Sequence, residues 1–120
     1  MKKTGFEGKV AVITGSSRGI GKGIAFALAR RGASIVLNGR NAEKLEAAKK
    51  ELLQINGNAV SICCDVSTVE GGRQLIDETI RLHGKIDILV NNVGVSMRGK
   101  FADLNPAVVK TIFESNILGT

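Results

Sequence analysis

Short apolar runs alternate along the chain with longer stretches whose apolar positions recur at helical spacing. Val10–Ile13 is a β-branched run ending in Thr14-Gly15, which reads as a buried strand running into a turn. From Ile20 to Arg31 the residues Ile20, Ile24 and Leu28 fall at i, i+4 and i+8, an amphipathic helix stopped by Gly32. Ser34–Leu37 predicts a second buried strand. Ala42 to Asn56 predicts a second helix, with Leu45, Ala48, Leu52 and Ile55 on one stripe and Glu46 and Lys50 paired on the wet side. Asn41 is placed to cap its start and Gly57 its end. Ala59–Cys63 predicts a third strand. Ser67-Thr-Val-Glu70 has the form of a capping box, opening a helix that runs to Leu82 and ends near Gly84. Ile86–Val90 predicts a fourth strand. Asn105-Pro106 starts a further helix, with Asn as cap and Pro in the first turn, running on to Thr120.

This β-α-β-α-β-α-β-α order implies parallel strands joined by right-handed crossovers. Strands apolar on both faces fit a sheet covered by helices on both sides. The fold class expected is therefore α/β, a doubly wound parallel sheet forming a single domain. The last helix has no stop signal, and the fourth strand would lack a neighbour on its outer side. An uncovered Ile or Val forfeits about 1.5–3 kcal/mol. We therefore expect residues 1–120 to be part of a domain whose C-terminal half is missing, cut after the fourth strand and the helix that follows.

Charge adds a second constraint. Lys and Arg number 17 against 11 for Asp and Glu, a net charge of +6, which fits nucleic acid, an anionic membrane or a phosphorylated ligand. Most of the excess sits in pairs such as Lys2–Lys3, Arg30–Arg31 and Lys49–Lys50, the habit of solvated helix faces. Without Trp or Tyr the chain lacks stacking platforms for single strands, so no nucleic-acid partner is expected. No apolar run is long enough for a signal peptide or a membrane span, so no membrane partner is expected. Cys63–Cys64 reads as a pair of small apolar side chains in a buried strand, in a reducing cytoplasm. No metal site is expected.

The most informative segment is Thr14-Gly-Ser-Ser-Arg-Gly-Ile-Gly21, between the first strand and the first helix. Gly15 lets the strand turn sharply, Gly19 lets backbone approach a diphosphate, and Gly21 lets helix and sheet pack closely. The helix start offers free N–H groups and partial positive charge to an anion. A P-loop is excluded, because Ser16 and Gly23 stand where that motif needs Gly and a hydroxyl residue.

These residues resemble the cofactor motif of the short-chain dehydrogenase/reductase family. Asn91-Asn-Val-Gly94 resembles the family's N-N-A-G motif, with Val93 in place of Ala, and Asp65-Val66 resembles its D-V pair. Asn116 matches the Asn of the catalytic tetrad. The resemblance implies an NAD(P)-binding Rossmann fold. It also implies hydride transfer between nicotinamide and a small-molecule carbonyl or alcohol substrate, in a protein that is a homo-oligomer. Gly15, Ser16, Ser17, Arg18, Gly19, Ile20 and Gly21 would cradle the cofactor. Asp65 would bind the adenine amino group, Val66 would line the adenine pocket, and Asn92 and Gly94 would lie along the ribose. Asn116 would hold a proton-relaying water. Ser96-Met-Arg-Gly99 would border the substrate mouth.

Cofactor choice turns on the end of the second strand. An NAD site places an acid there, about 20 residues past the glycine turn, to bind the ribose 2′-OH. Here Leu37-Asn-Gly-Arg-Asn41 puts Gly39 at that position and Arg40 beside it. Arg40, with Arg18, can grip a 2′-phosphate, so the expected cofactor is NADP rather than NAD. Family chemistry needs a Ser and a Tyr-x-x-x-Lys, and these 120 residues contain no Tyr. His83, before Gly84, reads as a surface residue rather than a substitute. The residues present are expected to bind cofactor without turnover. The alternative is a non-catalytic NADP(H)-binding module.

Overall fold

The backbone of the chain follows the alternating plan read from its periodicity. The structure, a computed structural model, describes residues 5–92 and the backbone of residues 111–113. Its elements are β1 (Val10–Ile13), α1 (Gly19–Arg30), β2 (Ser34–Gly39), α2 (Ala42–Leu53), β3 (Ala59–Cys63), α3 (Val69–His83), β4 (Ile88–Val90) and β5 (Thr111–Phe113). The strands lie in the order β3-β2-β1-β4-β5, every neighbouring pair parallel. Direction reverses at β1: β2 and β3 build outward on one side, and β4 returns to the other. With right-handed crossovers, that reversal sends α1 and α2 to one face of the sheet and α3 to the opposite face.

The two faces form separate cores. Alternate side chains of a strand point to opposite faces. Ala11 and Ile13 of β1 thus join Ile35 and Leu37 of β2 under Ala25 and Ala29 of α1 and Leu45, Ala48 and Leu52 of α2. Val10 and Val12 face the other way with Val36, Ile62 and Leu89, beneath Leu75 and Ile76 of α3. None of the described helices is long and apolar enough to cross a membrane.

Several local expectations shift. The buried stripe of α1 is Gly21, Ala25 and Ala29, one position on from the expected Ile20, Ile24 and Leu28; Ile20 is 60 % exposed. Small residues face the sheet so that the helix can lie close, and the larger side chains flank the contact. The second helix is capped by Asn41, whose side chain accepts from Lys44 N at 2.9 Å, but it ends at Leu53 rather than Asn56. Asn56 instead donates its side-chain amide to the carbonyls of Ala29 and Ala33, at 3.1 and 2.8 Å, tying the loop to the end of α1. Ile55 is consequently 40 % exposed, and Glu46 meets Lys49 at 4.0 Å, not Lys50. The cap of α3 is Thr68, accepting from Gly71 N, because the Ser67 hydroxyl is taken by Asp65. Cys63, the last residue of β3, is exposed and Cys64 just beyond it half-buried; β3 is an edge strand in which only Ala59 and Ile62 are buried.

The largest correction concerns the helix expected from Asn105 onward. Thr111–Phe113 is a strand, paired in parallel with Ile88–Val90. The β4 edge offers unpaired backbone groups, and a β-branched and aromatic triplet suits that edge. The remainder of that expected helix, with Asn105, lies outside the described residues.

Candidate nucleotide-binding site

All the described strand ends but one meet in a single cleft. Its volume is about 570 Å³, within the range of small-molecule sites. Gly15, Ser17, Arg18, Gly19 and Ile20 line it from the turn after β1, and Asn92 from the end of β4. Asn38, Gly39, Arg40, Asn41 and Lys44 come from the end of β2 and the start of α2, and Cys64 to Ser67 from the end of β3. This is the carboxyl edge of the sheet beside the point of reversal, where open α/β sheets bind ligands.

The turn after β1 is built from backbone that only glycine adopts freely. Gly15 and Gly19 have φ of 56° and 65°. Gly21 is required by space: a Cβ there would overlap the Gly15 carbonyl oxygen and stand 2.7 Å from Asn92 Nδ2. Arg18 occupies the N-cap position of α1 in extended backbone, makes no side-chain cap, and no acid follows in the first turn. The amide end of α1 is left to an anion arriving from the cleft.

Asn92 braces this turn from β4. Its N–H donates to Thr14 Oγ1 at 2.8 Å and its side-chain amide to the Gly15 carbonyl at 3.0 Å. Ser16 is fully buried, its hydroxyl donating to the Ile13 carbonyl at 2.8 Å and accepting from Asn38 N at 2.9 Å. Ser16 and Gly21 therefore support the turn from beneath and do not line the cleft.

Across the cleft, Asp65 Oδ1 accepts from both the hydroxyl and the N–H of Ser67, at 2.6 and 2.9 Å. The Ser67 hydroxyl, then its N–H, and then the Arg40 charge hold the Asp65 carboxyl below its ordinary pKa against the opposing effect of desolvation. Asp65 Oδ2 lies 4.0 Å from Arg40 Nη1, and the Arg40 side chain is 78 % exposed. Val66 is buried in the wall beside them. The loop is pressed onto α3 at Gly71, where a Cβ would overlap the Asp65 carbonyl oxygen.

The structure thus gathers Gly15, Ser17, Arg18, Gly19, Ile20, Arg40, Asp65, Val66 and Asn92 around one cleft. Gly94 and Asn116 lie outside the described residues, as does Ser96–Gly99. His83 stands apart from the cleft lining; it is half-buried rather than a plain surface residue, and its Nε2 has no hydrogen-bond partner among the described residues. Sequence reasoning passed over Lys44 and Asn38. A cation one turn into the helix after Arg40, and an amide in an otherwise apolar strand, were the available signals.

A doubly wound sheet with a glycine turn at its reversal point defines a dinucleotide-binding α/β protein. The family model for short chain dehydrogenases matches residues 9–120, and the chain belongs to that family. It is 40% identical over 116 residues to versicolorin reductase 1 of Aspergillus parasiticus, covering 94% of this chain and 44% of that protein. Among solved structures, L-sorbose reductase from Gluconobacter frateurii, complexed with NADPH and L-sorbose, superposes with a TM-score of 0.73 at 42% identity, over 78% of this chain and 36% of that one. A 7α-hydroxysteroid dehydrogenase complexed with NADH and 7-oxo glycochenodeoxycholic acid gives 0.72 at 40% identity, over 78% and 36%. The chain spans less than half the length of these relatives.

Proposed function

We propose that the chain is the cofactor-binding part of an NADP(H)-dependent oxidoreductase acting on a small-molecule carbonyl or alcohol. One observation carries the choice of cofactor: three cations, Arg18, Arg40 and Lys44, line the cleft around Gly39, where an NAD site carries an acid. Asp65 is the one acid among the described lining residues, and Ser67 and Arg40 already hold its charge. The related L-sorbose reductase complexed with NADPH supports a nicotinamide coenzyme here, and since the related 7α-hydroxysteroid dehydrogenase is complexed with NADH, the choice between the two rests on the local cations.

The coenzyme would supply the hydride. The amide end of α1 and the turn Gly15–Ile20 bind the diphosphate, and Val66 and Asp65 receive the adenine. Arg40 is free to leave Asp65, because an exposed pair at 4.0 Å contributes little, and turns its guanidinium to the 2′-phosphate with Arg18 and Lys44. Asn92 would lie along the ribose, where the family resemblance also assigns Gly94, and the same resemblance assigns to Asn116 a water that relays protons.

Removing two charge-assisted contacts costs on the order of 100-fold in affinity. Arg18→Ala with Arg40→Asp is therefore expected to weaken NADPH by about that factor in calorimetric titration and NADH by less than about 5-fold. Equal losses for both coenzymes would refute the assignment. General acid–base help contributes ~10²–10⁴-fold, and without a Tyr the 120 residues by themselves are expected to bind NADPH but not oxidise it with a carbonyl present.

A further inference from the structure

Asn38 is an amide in a strand whose preceding residues, Ile35, Val36 and Leu37, are fully buried and apolar, and it is itself 1 % exposed. A polar group so placed costs stability unless each of its hydrogen-bonding positions is used. The register explains what it does there. The β1–β2 ladder ends at Ile13↔Leu37, because β1 then bends away into the glycine turn, whereas the β2–β3 ladder continues past Asn38↔Ile62. Asn38 stands where the two walls of the cleft part company.

Its side chain spans that gap. Oδ1 accepts from Gly15 N at 3.3 Å, the first amide of the glycine turn. Nδ2 donates to the carbonyls of Ile62 and Cys64, at 3.1 and 3.2 Å, at the root of the loop that carries Asp65 and Val66. The amide orientation is fixed by its partners, an N–H on one side and carbonyls on the other. Ser16 completes the joint, its N–H donating to the Asn38 carbonyl at 2.8 Å and its hydroxyl accepting from Asn38 N.

We infer that Asn38 is a positioning residue that sets the spacing between the diphosphate turn and the adenine wall. The inference rests on the NADP(H) reading above. A dinucleotide touches both walls, and its second contact benefits from the first only if their separation matches the ligand. A ligand that touches one wall is indifferent to that separation. Loosening Asn38 should therefore penalise the whole coenzyme and spare its adenosine end, a split that loss of fold stability alone does not produce.

The test titrates the full chain with NADPH and, separately, with adenosine 2′-monophosphate, which lies on the Arg40, Lys44 and Asp65 wall and reaches the turn only through the long Arg18 side chain, not through the turn's backbone. Asn38→Ala is expected to weaken NADPH by on the order of 10- to 100-fold and adenosine 2′-monophosphate by less than about 3-fold. Asn38→Ser, too short to bridge the gap, should show the same split and serves if the alanine variant does not fold. Ile62→Val trims the same core and should lower thermal stability while leaving both affinities within about 2-fold. If the unsubstituted chain binds NADPH but the Asn38 variants weaken both probes equally, or neither, the inference fails and the NADP(H) reading stands. If the unsubstituted chain binds no NADPH, both fall. Should neither Asn38 variant fold, the residue serves folding alone and the inference is overturned.

Discussion

At Gly71 a single hydrogen atom decides whether one wall of the cleft can form. The first turn of α3 lies against the Asp65 carbonyl so closely that a Cβ would overlap it, and Gly71 N also supplies the donor for the Thr68 cap. Gly71→Ala must push α3 and the Asp65 loop apart. Overpacking of this kind costs about 1–3 kcal/mol, to be read from urea unfolding, and NADPH affinity should fall with it. A variant as stable as the parent would mean that the loop yields freely. The two thiols beside this loop make a second residue-scale contrast. Burial above all, with Cys63 and Asp65 adding to it, pushes the Cys64 thiol up, whereas Cys63 stands exposed. The thiolate is the reactive form, so at pH 7.5 a maleimide should label Cys63 first and Cys64 more slowly by about 10-fold or more. Peptide mapping over time checks the order. NADPH should slow Cys64 further, since that residue lines the cleft.

Between elements, the joint of β1 with the start of β4 is electrostatic. Asp87 Oδ2 accepts from Val10 N at 2.9 Å and meets Lys85 at 3.1 Å. Burial works to raise this carboxyl, but the Val10 N–H, Lys85 and Lys9 outweigh it and hold its pKa below the ordinary value. The unfolded chain thus binds the proton more tightly. The stabilisation is present above about pH 4 and fades as pH falls through the folded-state value. Asp87→Asn should be less stable than the parent at pH 7, with the gap in urea midpoint closing by pH 3; a constant gap would contradict the assignment. Periodicity alone reveals the order of strands and helices as far as β4, and the Asn41 cap, because those depend on neighbours in sequence. It misplaces the inner stripe of α1, where Gly21, Ala25 and Ala29 are chosen for closeness rather than bulk. It also puts the α3 cap one residue early, because Asp65 had claimed the Ser67 hydroxyl. The glycine turn, Arg40 and Asp65 stand out as spaced motifs. Asn38 does not, since its partners lie 23 to 26 residues away and only the sheet brings them together.

In the molecule as a whole, the order β3-β2-β1-β4-β5 sets loops from β1, β2, β3 and β4 around one opening and leaves the apolar faces to the helices. β5 shows the same logic at the other edge: a helix expected from its Asn105-Pro106 start yields at Thr111–Phe113 to a strand where β4 presents unpaired backbone, a preference that no local pattern encodes. The net charge of +6 acts at this scale too, favouring an anionic ligand and making its capture weaken with added salt. The central claim is that this opening selects the coenzyme carrying the extra phosphate. Calorimetric titration of the chain with NADPH and NADH, side by side in one low-salt buffer, tests it most directly. NADPH should bind at least about 30-fold more tightly than NADH, the discrimination expected from charge-assisted contacts to one phosphate. Equal affinities, tighter binding of NADH, or no heat with either coenzyme would contradict it.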